Sequence, residues 1–256
     1  MSVGRVLGVI NQLASGPHSL ATLAQELDTP KPSLMGLLSE LVQLGFIRKD
    51  QQGHYLLAGA SFRLAARVSA AGSLNPSIRA TLVGLSTDLE AAVSVAYLDP
   101  ESRTMVYADR YGENSAIRYV VKFGTAIQLH TRATSKLLIA FEDESSWRSW
   151  FGPEPYKRLA TRTHVKFATL KKELVKVRSE GIAWTHSEQY DGISGCSVPI
   201  FDANDKIIAG IGLLMISEAL DMNRDKVVAA LRKAADTTTA EFKMRGVTRM
   251  NLSAYL

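Results

Sequence analysis

The stretch from Asp28 to Ile47, DTPKPSLMGLLSELVQLGFI, constrains the fold of this chain more than any other. Five leucines recur at the spacing of one helix face, at Leu34, Leu37, Leu38, Leu41 and Leu44. Thr29 offers a capping hydroxyl, and Pro30 and Pro32 fit a first helical turn because its amides have no intrahelical partner. Gly45 suits the position after the last turn. The stretch predicts an amphipathic helix with leucines on one face and small, polar residues on the other.

The elements around this helix predict a DNA-binding module. An apolar-periodic helix covers residues 3–14, and Ser19 is placed to cap a second helix. After the leucine-rich helix, residues 46–49 and 54–57 read as short strands joined by a turn. Helix, helix, short turn, helix and hairpin form the order of a winged helix-turn-helix. The local pattern alone also allows a core helix in a small helical subdomain.

The character of the chain changes after this module. Residues 61–74 read as a helix rich in small residues, and Asn75-Pro76 restarts the chain, which places a domain boundary between about residues 59 and 76. From Val93 onward, β-rich runs are interspersed with helices, and few of them follow the strand–helix–strand alternation of parallel sheets. We therefore predict an α+β fold in which helices flank an antiparallel sheet.

Composition narrows the class of protein. The chain has 256 residues, of which 46% are hydrophobic, and no apolar run reaches the roughly 18 residues that span a membrane. It lacks a signal-peptide pattern at its start, and its single cysteine, Cys196, excludes an intrachain disulfide, so we expect a cytoplasmic location without membrane contact. The net charge is +5, but residues 1–60 hold equal numbers of basic and acidic side chains. Bulk charge therefore does not locate a nucleic-acid site.

Several long segments resemble the isocitrate lyase regulator (IclR) family of transcription regulators, over essentially the full length of the chain. They are RVLGVINQLAS, SLATLAQELDTPKPSLMGLLSELVQLGFI, YLLAGASFRLA, GTAIQLHTRATSKLLIAF and TLKKELVKVRSEGIAWTHSEQYDGISGCSVPIFDANDKIIAGIGLLM. The resemblance implies a winged helix-turn-helix at residues 1–58, a linker helix at 59–75, and a GAF-like effector-binding and oligomerisation domain at 76–256. Its implied partners are a double-stranded DNA operator, a small-molecule effector and further copies of the chain, in dimers and often dimers of dimers. No cofactor or metal is expected.

The resemblance also assigns a DNA-reading face. It places toward DNA the residues Lys31, Pro32, Ser33, Met35, Gly36 and Ser39 of the third helix. Phosphate or wing contacts are expected from Arg5, Lys31, Arg48, Lys49 and His54, each with a solvated surface group as the alternative, and Ser19 joins the DNA-binding set.

The third helix departs from the family pattern. Members commonly carry hydroxyl residues at its start and a basic residue one turn later, whereas this chain has Pro32 and then Met35-Gly36. Methionine and glycine cannot form the bidentate hydrogen bonds by which arginine or asparagine distinguish bases. Readout is therefore expected from Ser33, Ser39 and the shape of the DNA.

The implied effector site combines a strand, a loop and the two following strands. Positions that are acidic, cysteine or serine in the well-known organic-acid sensors of the family correspond to Thr185, Gly195, Gly212 and Leu214. We interpret these replacements as a wider, less polar pocket for a bulky or aromatic carboxylic acid or a derivative. Backbone amides near Gly124, Thr125 and Ala126 are expected to hold the carboxylate. Candidate walls, for which a packed core residue is the alternative, are Tyr119, Phe123, Trp184, His186 and Cys196.

Two other functions are open at this point. Cys196 is a nucleophile candidate with His186 or His130 as its base, although GISGCSVPIF reads as a buried strand in which cysteine packs as a small hydrophobe. A ligand-binding adaptor without specific DNA binding is favoured by the unusual third helix. We predict a ligand-responsive regulator and no catalytic activity.

Overall fold

The computed structural model describes residues 3–71, 76–112, 127–249 and Leu252. These residues belong to two compact units, an N-terminal one that holds residues 3–71 and a C-terminal one that holds the described residues from Pro76 onward. Each unit is described by itself. Among the described residues, no helix has the length and apolar character needed to cross a membrane.

The N-terminal unit has the predicted order of helices and hairpin. Its elements are α1 (Val3–Ala14), α2 (Leu20–Glu26), α3 (Lys31–Gln43), β1 (Ile47–Lys49), β2 (Tyr55–Leu57) and α4 (Gly59–Ala71). Ser19 caps α2 as predicted, because its hydroxyl accepts a hydrogen bond from the backbone N–H of Thr22 at 3.1 Å. The hairpin is antiparallel, with Arg48 opposite Leu56.

The ends of α3 confirm one predicted cap and correct the other. Gly45 has φ 71°, its N–H bonds to the carbonyl of Val42, and the N–H of the next residue bonds to the carbonyl of Leu41. This paired pattern ends the helix in a left-handed backbone conformation, which glycine adopts at no steric cost. At the other end Pro30 takes the N-cap position, and the Thr29 hydroxyl donates instead to the carbonyl of Leu27, so Thr29 is not the cap.

The leucine face of α3 forms much of the core of this unit. The buried cluster comprises Val9, Leu13, Leu23, Leu34, Leu37, Leu38, Leu41, Ile47 and Tyr55. Leu44, predicted to continue the face, is 59% exposed because it lies at the C-cap, where the chain turns away toward β1. Four of the five leucines therefore pack as the periodicity predicts.

The C-terminal unit contains a five-stranded sheet in which each neighbouring pair is antiparallel. The strands are β3 (Ala92–Asp99), β4 (Thr104–Tyr111), β5 (Ala183–His186), β6 (Ile193–Phe201) and β7 (Ile207–Ile216). Their order is β4-β3-β7-β6-β5, which leaves β5 at one edge. The predicted α+β fold with an antiparallel sheet is confirmed.

Helices cover both faces of this sheet. They are α5 (Pro76–Leu89), α6 (Ala133–Ala140), α7 (Trp147–Phe151), α8 (Phe167–Glu180), α9 (Ser217–Met222) and α10 (Arg224–Met244). One apolar cluster joins α5 and α10 to side chains such as Val198 and Leu213, and a second joins α6 and α8 to Ala96 and Ala183. Every residue of α6 is buried, as expected for a helix that is covered on all sides.

The segment at residues 142–165 contains a 3-10 turn at Glu144–Ser146 and then α7. Near the C-terminal end of the described residues, Asn223 separates α9 from α10. One of the β-rich runs that follow Val93, at residues 116–123, lies outside the described residues.

Candidate functional site

The face of α3 predicted to read DNA is exposed. All six residues assigned to it are solvent-accessible: Lys31, Pro32, Ser33, Met35, Gly36 and Ser39. The Met35 side chain is 54% exposed, and a Cβ added at Gly36 would have nothing within 4 Å. The helix therefore has an open surface with the hydroxyls of Ser33 and Ser39, the thioether of Met35, and Gly36, which adds no side chain.

Basic and polar groups of the hairpin have local partners. Arg48 and Lys49 are exposed on β1, and the Lys49 Nζ lies 5.4 Å from the ring centroid of Tyr55. The backbone N–H of His54 donates to Oδ1 of Asp50 at 2.8 Å, which lowers the pKa of that carboxyl. His54 Nδ1 lies 3.7 Å from Oδ2 of the same carboxylate. The hairpin therefore has a turn fixed by hydrogen bonds to Asp50 and two exposed cations on β1, while Arg5 is exposed on α1.

Four of the predicted effector residues share one face of the sheet. Thr185 pairs with Gly195, and Gly195 pairs with Leu214, so the three stand side by side across β5, β6 and β7. Gly212 lies two residues before Leu214 and therefore on the same face. This face carries α6, whose Thr134 lies against Gly212.

The two glycines do not open a cavity. A Cβ at Gly195 would lie 2.6 Å from the Leu213 carbonyl oxygen and 2.6 Å from Cδ2 of Leu214. A Cβ at Gly212 would overlap Oγ1 of Thr134. The expectation that these glycines widen a pocket is wrong, because neighbouring strands and α6 already occupy the space above them.

The remaining predicted effector residues do not join this group. Trp184, His186 and Cys196 point to the opposite face of the sheet. The rings of Trp184 and His186 are parallel within 7°, with centroids 6.3 Å apart. The residues Tyr119, Phe123, Gly124, Thr125 and Ala126 lie outside the described part of the chain.

Cys196 lacks the surroundings of a nucleophile. It is fully buried in the cluster with α5 and α10, and burial raises the pKa of its thiol to about 12. Burial likewise lowers the pKa of His186, the nearest proposed base in sequence. A protonated thiol in an apolar core acts as a packing group.

Arg132, which sequence reasoning missed, carries an unsatisfied buried nitrogen. It is the N-cap residue of α6, and its Nη1 donates to the hydroxyl of Tyr107 at 3.0 Å. Its Nε is buried and has no hydrogen-bond partner among the residues that the structure describes. Tyr107 packs against the cluster on the α6 face, so the guanidinium lies on the side of the sheet that carries Thr185 and Leu214. An arginine directly before the apolar run ATSKLLIA was the signal in the sequence.

Lys136, also missed, forms a buried ionic cluster. The side chain is fully buried, and its Nζ lies 2.9 Å from both carboxylate oxygens of Glu173 and 2.5 Å from Oε2 of Glu188. His164 Nε2 lies 3.5 Å from Oε2 of Glu173. Ligand-type atoms of His164, Glu173 and Glu188 lie within 4.8 Å of one another, a spacing compatible with a metal ion. The Lys136 ammonium already supplies the positive charge there.

Two family models match this chain. The IclR helix-turn-helix domain matches residues 2–51, and the bacterial transcriptional regulator IclR C-terminal domain matches residues 73–240. Among curated relatives, the HTH-type transcriptional regulator KdgR of Escherichia coli (strain K12) is 25% identical over 243 residues, which cover 94% of this chain and 92% of the relative.

Solved structures of similar proteins share the fold. An IclR transcriptional regulator from Alicyclobacillus acidocaldarius has a TM-score of 0.77 at 21% identity, over 94% of this chain and 99% of that one. An IclR homolog from Microbacterium hydrocarbonoxydans, solved in complex with 4-hydroxybenzoate, has a TM-score of 0.75 at 15% identity and covers 94% and 99%. The relatives are transcriptional regulators and not enzymes. This chain belongs to the IclR family of DNA-binding transcription regulators, whose C-terminal domain binds an effector.

Proposed function

We propose that this regulator responds to an organic acid with a bulky or aromatic body, bound on the α6 face of the sheet. The residues that contribute are Thr185, Leu214 and Arg132. Arg132 holds the carboxylate. The observation that carries the proposal is the buried, unpartnered Nε of that guanidinium.

A carboxylate satisfies this unpartnered group. An arginine fork binds a carboxylate through two parallel N–H donors, and only one Arg132 donor has a hydrogen-bond partner among the described residues. Arg132 also precedes the first turn of α6, where the helix dipole favours negative charge. Leu214 supplies an apolar contact on the same face. A ligand with one carboxylate and an apolar body fits this combination.

The proposal draws on one relative for the ligand class. The M. hydrocarbonoxydans homolog was solved with 4-hydroxybenzoate, an aromatic carboxylic acid. The argument for bulk no longer rests on Gly195 and Gly212, since their space is filled. It rests on the apolar Leu214, which lies on the same face as Thr185.

A thermal-shift screen tests the ligand class. Benzoate or 4-hydroxybenzoate should raise the melting temperature, because a ligand that binds only the folded protein stabilises it by mass action. Glyoxylate and pyruvate should have little effect. Arg132→Gln should remove the shift, and the exposed Arg232→Gln should keep it. A response confined to two- or three-carbon acids, or one that Arg132→Gln retains, would refute the proposed site.

DNA recognition is proposed to follow the α3 face. Ser33 and Ser39 contact base edges or phosphates, Met35 contacts a thymine methyl group, and the shape of the operator supplies the rest. Arg5, Lys31, Arg48, Lys49 and His54 contact phosphates, which position the helix without specifying sequence. Ser19 contributes through its cap, which holds the start of α2 in place.

Oligomers are proposed to form through the N-terminal helices. Several apolar side chains of α1 and α4 are exposed: Val3 at 73%, Leu7 at 57%, Phe62 at 63% and Val68 at 62%. Apolar surface of this kind is typical of an interface. In this proposal α4 is the linker helix of residues 59–75, between the winged domain at 1–58 and the effector domain at 76–256. A dimer then places two reading helices on a pseudo-palindromic operator.

A further inference from the structure

A cleft lies at the edge of the sheet beside β5. Its volume is about 400 Å³, within the range of small-molecule sites. Trp184 and His186 of β5 form one wall, α8 forms another through Val177, and Arg162 and Arg224 also line the cleft. The two β5 side chains point away from the α6 face, whereas Val177 packs in the cluster on that face, so the cleft lies beyond the edge strand. The residues of the proposed effector site are not among the described residues that line the cleft, which distinguishes the two sites.

Two of the positive charges that line the cleft have no ion-pair partner among the described residues. Its carboxylates are already engaged, since Glu173 and Glu188 bind Lys136 and Glu180 lies 3.7 Å from Lys176. Within the described ranges, the guanidiniums of Arg162 and Arg224 form no ion pair, although both line the cleft. Two arginine forks that face the same space without an ion-pair partner favour an anionic ligand.

One of these arginines is held in place by an aromatic ring. The Arg224 guanidinium carbon lies 4.1 Å from the centroid of the Trp184 ring, a cation–π contact that orients the group. The backbone of Arg162 is held by a hydrogen bond from its N–H to the carbonyl of Ser187. Burial lowers the pKa of His186 between them, so at neutral pH its imidazole offers one N–H donor without adding charge.

The remaining wall is apolar. Val177 and Ile182 are buried, and Trp184 is half-buried, so one end of the cleft is a hydrocarbon surface. A ligand that fills it carries an anionic group at the arginine end and a compact apolar or planar body at the other. A single carboxylate is satisfied by one arginine, whereas a phosphate dianion has enough oxygens for two.

We propose that this cleft is a second ligand site, which binds a small phosphate monoester between Arg162 and Arg224 with its organic part against Trp184 and Val177. The site goes beyond the proposed organic-acid response, since neither Arg132 nor Thr185 is among the residues that line it. Thr185 and Trp184 are neighbours on β5 but face opposite sides, so this strand borders both sites.

Isothermal titration with phenyl phosphate tests the site on the full chain. We expect saturable binding with one site per chain, and a loss of affinity of tenfold or more in both Arg162→Gln and Arg224→Gln. Arg232→Gln, an exposed arginine on the same helix as Arg224, is the matched control and should bind as the parent does. Inorganic phosphate should bind more weakly than phenyl phosphate, because it leaves the apolar wall unfilled.

Benzoate separates this site from the proposed effector site. It has the same ring with a carboxylate, and any binding it shows should survive Arg162→Gln and disappear in Arg132→Gln. Phenyl phosphate should show the reverse pattern. No saturable heat with phenyl phosphate, equal affinity in the parent and both arginine variants, or an equal loss in Arg232→Gln would overturn the proposal. Melting temperatures of all variants close to that of the parent establish that they are folded.

Discussion

The Nζ of Lys136 lies 2.5 Å from Oε2 of Glu188 in the interior of the C-terminal unit. Lys136 is fully buried and Glu188 is 4% exposed, so both charges have lost nearly all their contact with water. Desolvation raises the pKa of Glu188 to about 7, against the opposing attraction of Lys136. The lysine comes from α6, whereas Glu188 follows β5 and Glu173 lies on α8, so one ammonium ties three segments together.

Loss of the Lys136 ammonium should lower the stability of the folded protein strongly. Lys136→Met leaves the buried carboxylate of Glu188 and the partly buried carboxylate of Glu173 without this counter-ion, and removal of one partner of a buried pair costs about 3–5 kcal/mol. Urea denaturation at pH 7 measures the loss. The exposed Lys176→Met removes only a weak surface pair and should change stability by about 1 kcal/mol or less. The deficit of Lys136→Met should shrink as pH falls toward 5, because the Glu188 carboxylate, whose pKa is raised by burial, then becomes neutral. Equal stability of the two variants would contradict a structural role for the cluster.

His130 should resist protonation in the folded protein. It is buried, and its Nε2 lies 2.9 Å from the carbonyl oxygen of Lys157, to which the neutral ring donates. Burial lowers its pKa below 6.5. Its contribution to stability is therefore complete above pH 6.5 and is lost as pH falls through the folded value.

Two measurements test this assignment of His130. Its imidazole resonances, followed by NMR, should titrate below pH 6.5. His130 makes stability rise with pH, and Glu188 opposes this trend over the same range. The raised pKa of Glu188 makes stability decrease as pH rises from 4.5 toward about 7. The comparison that isolates the histidine is His130→Gln, whose unfolding free energy should fall less than that of the parent between pH 7 and 5. A folded His130 pKa at or above 6.5 would contradict the burial argument.

Gly212 should tolerate no side chain. Gly212→Ala places a methyl group on Oγ1 of Thr134, and overpacking of this kind costs roughly 1–3 kcal/mol. Thr134→Ala removes the obstructing atom, so the double variant should recover part of the loss in a double-mutant cycle. Gly84→Ala is the control, since a Cβ there meets nothing within 4 Å. Additive effects of Gly212→Ala and Thr134→Ala on the unfolding free energy would mean that the side chains at these two positions do not interact.

Gly36 should behave in the opposite way. It lies within α3 and its Cβ direction is open, so Gly36→Ala should stabilise the N-terminal unit by about 1 kcal/mol through helix propensity. Leu38→Asp on the buried face should unfold that unit, because an unpaired buried charge costs several kcal/mol. Thermal denaturation followed by circular dichroism distinguishes the two. Destabilisation by Gly36→Ala would place the residue against a neighbour.

Sequence periodicity predicted the parts of the fold in which local pattern and burial agree. The leucines of α3 are such a case, because the helical period fixes which side chains share a face. The prediction that Leu44 packs with the other leucines was wrong, because the last residue of the periodic run lies where the chain turns.

The site could be predicted less well because its volume depends on packing between distant segments. Gly195 and Gly212 suggested free space, but Thr134 of α6 and the side chain of Leu214 fill it. No local pattern in the sequence indicates which helix lies over a strand. Lys136 and Arg132 were visible only as charges beside an apolar run, and their roles depend on partners contributed by β4, α8 and the segment after β5.

Footprinting of the flanking intergenic DNA with the parent protein and with Gly36→Glu tests the central claim most directly. The account predicts a protected pseudo-palindrome whose half-sites lie ~34 Å or a multiple apart, with protection that weakens steeply as salt rises. Gly36→Glu should lose this protection while it keeps its fold, because the added carboxylate faces the phosphates from an open position on α3. The absence of any protected site would favour an adaptor that does not bind operators. Normal protection by Gly36→Glu would show that another face of the helix meets the DNA.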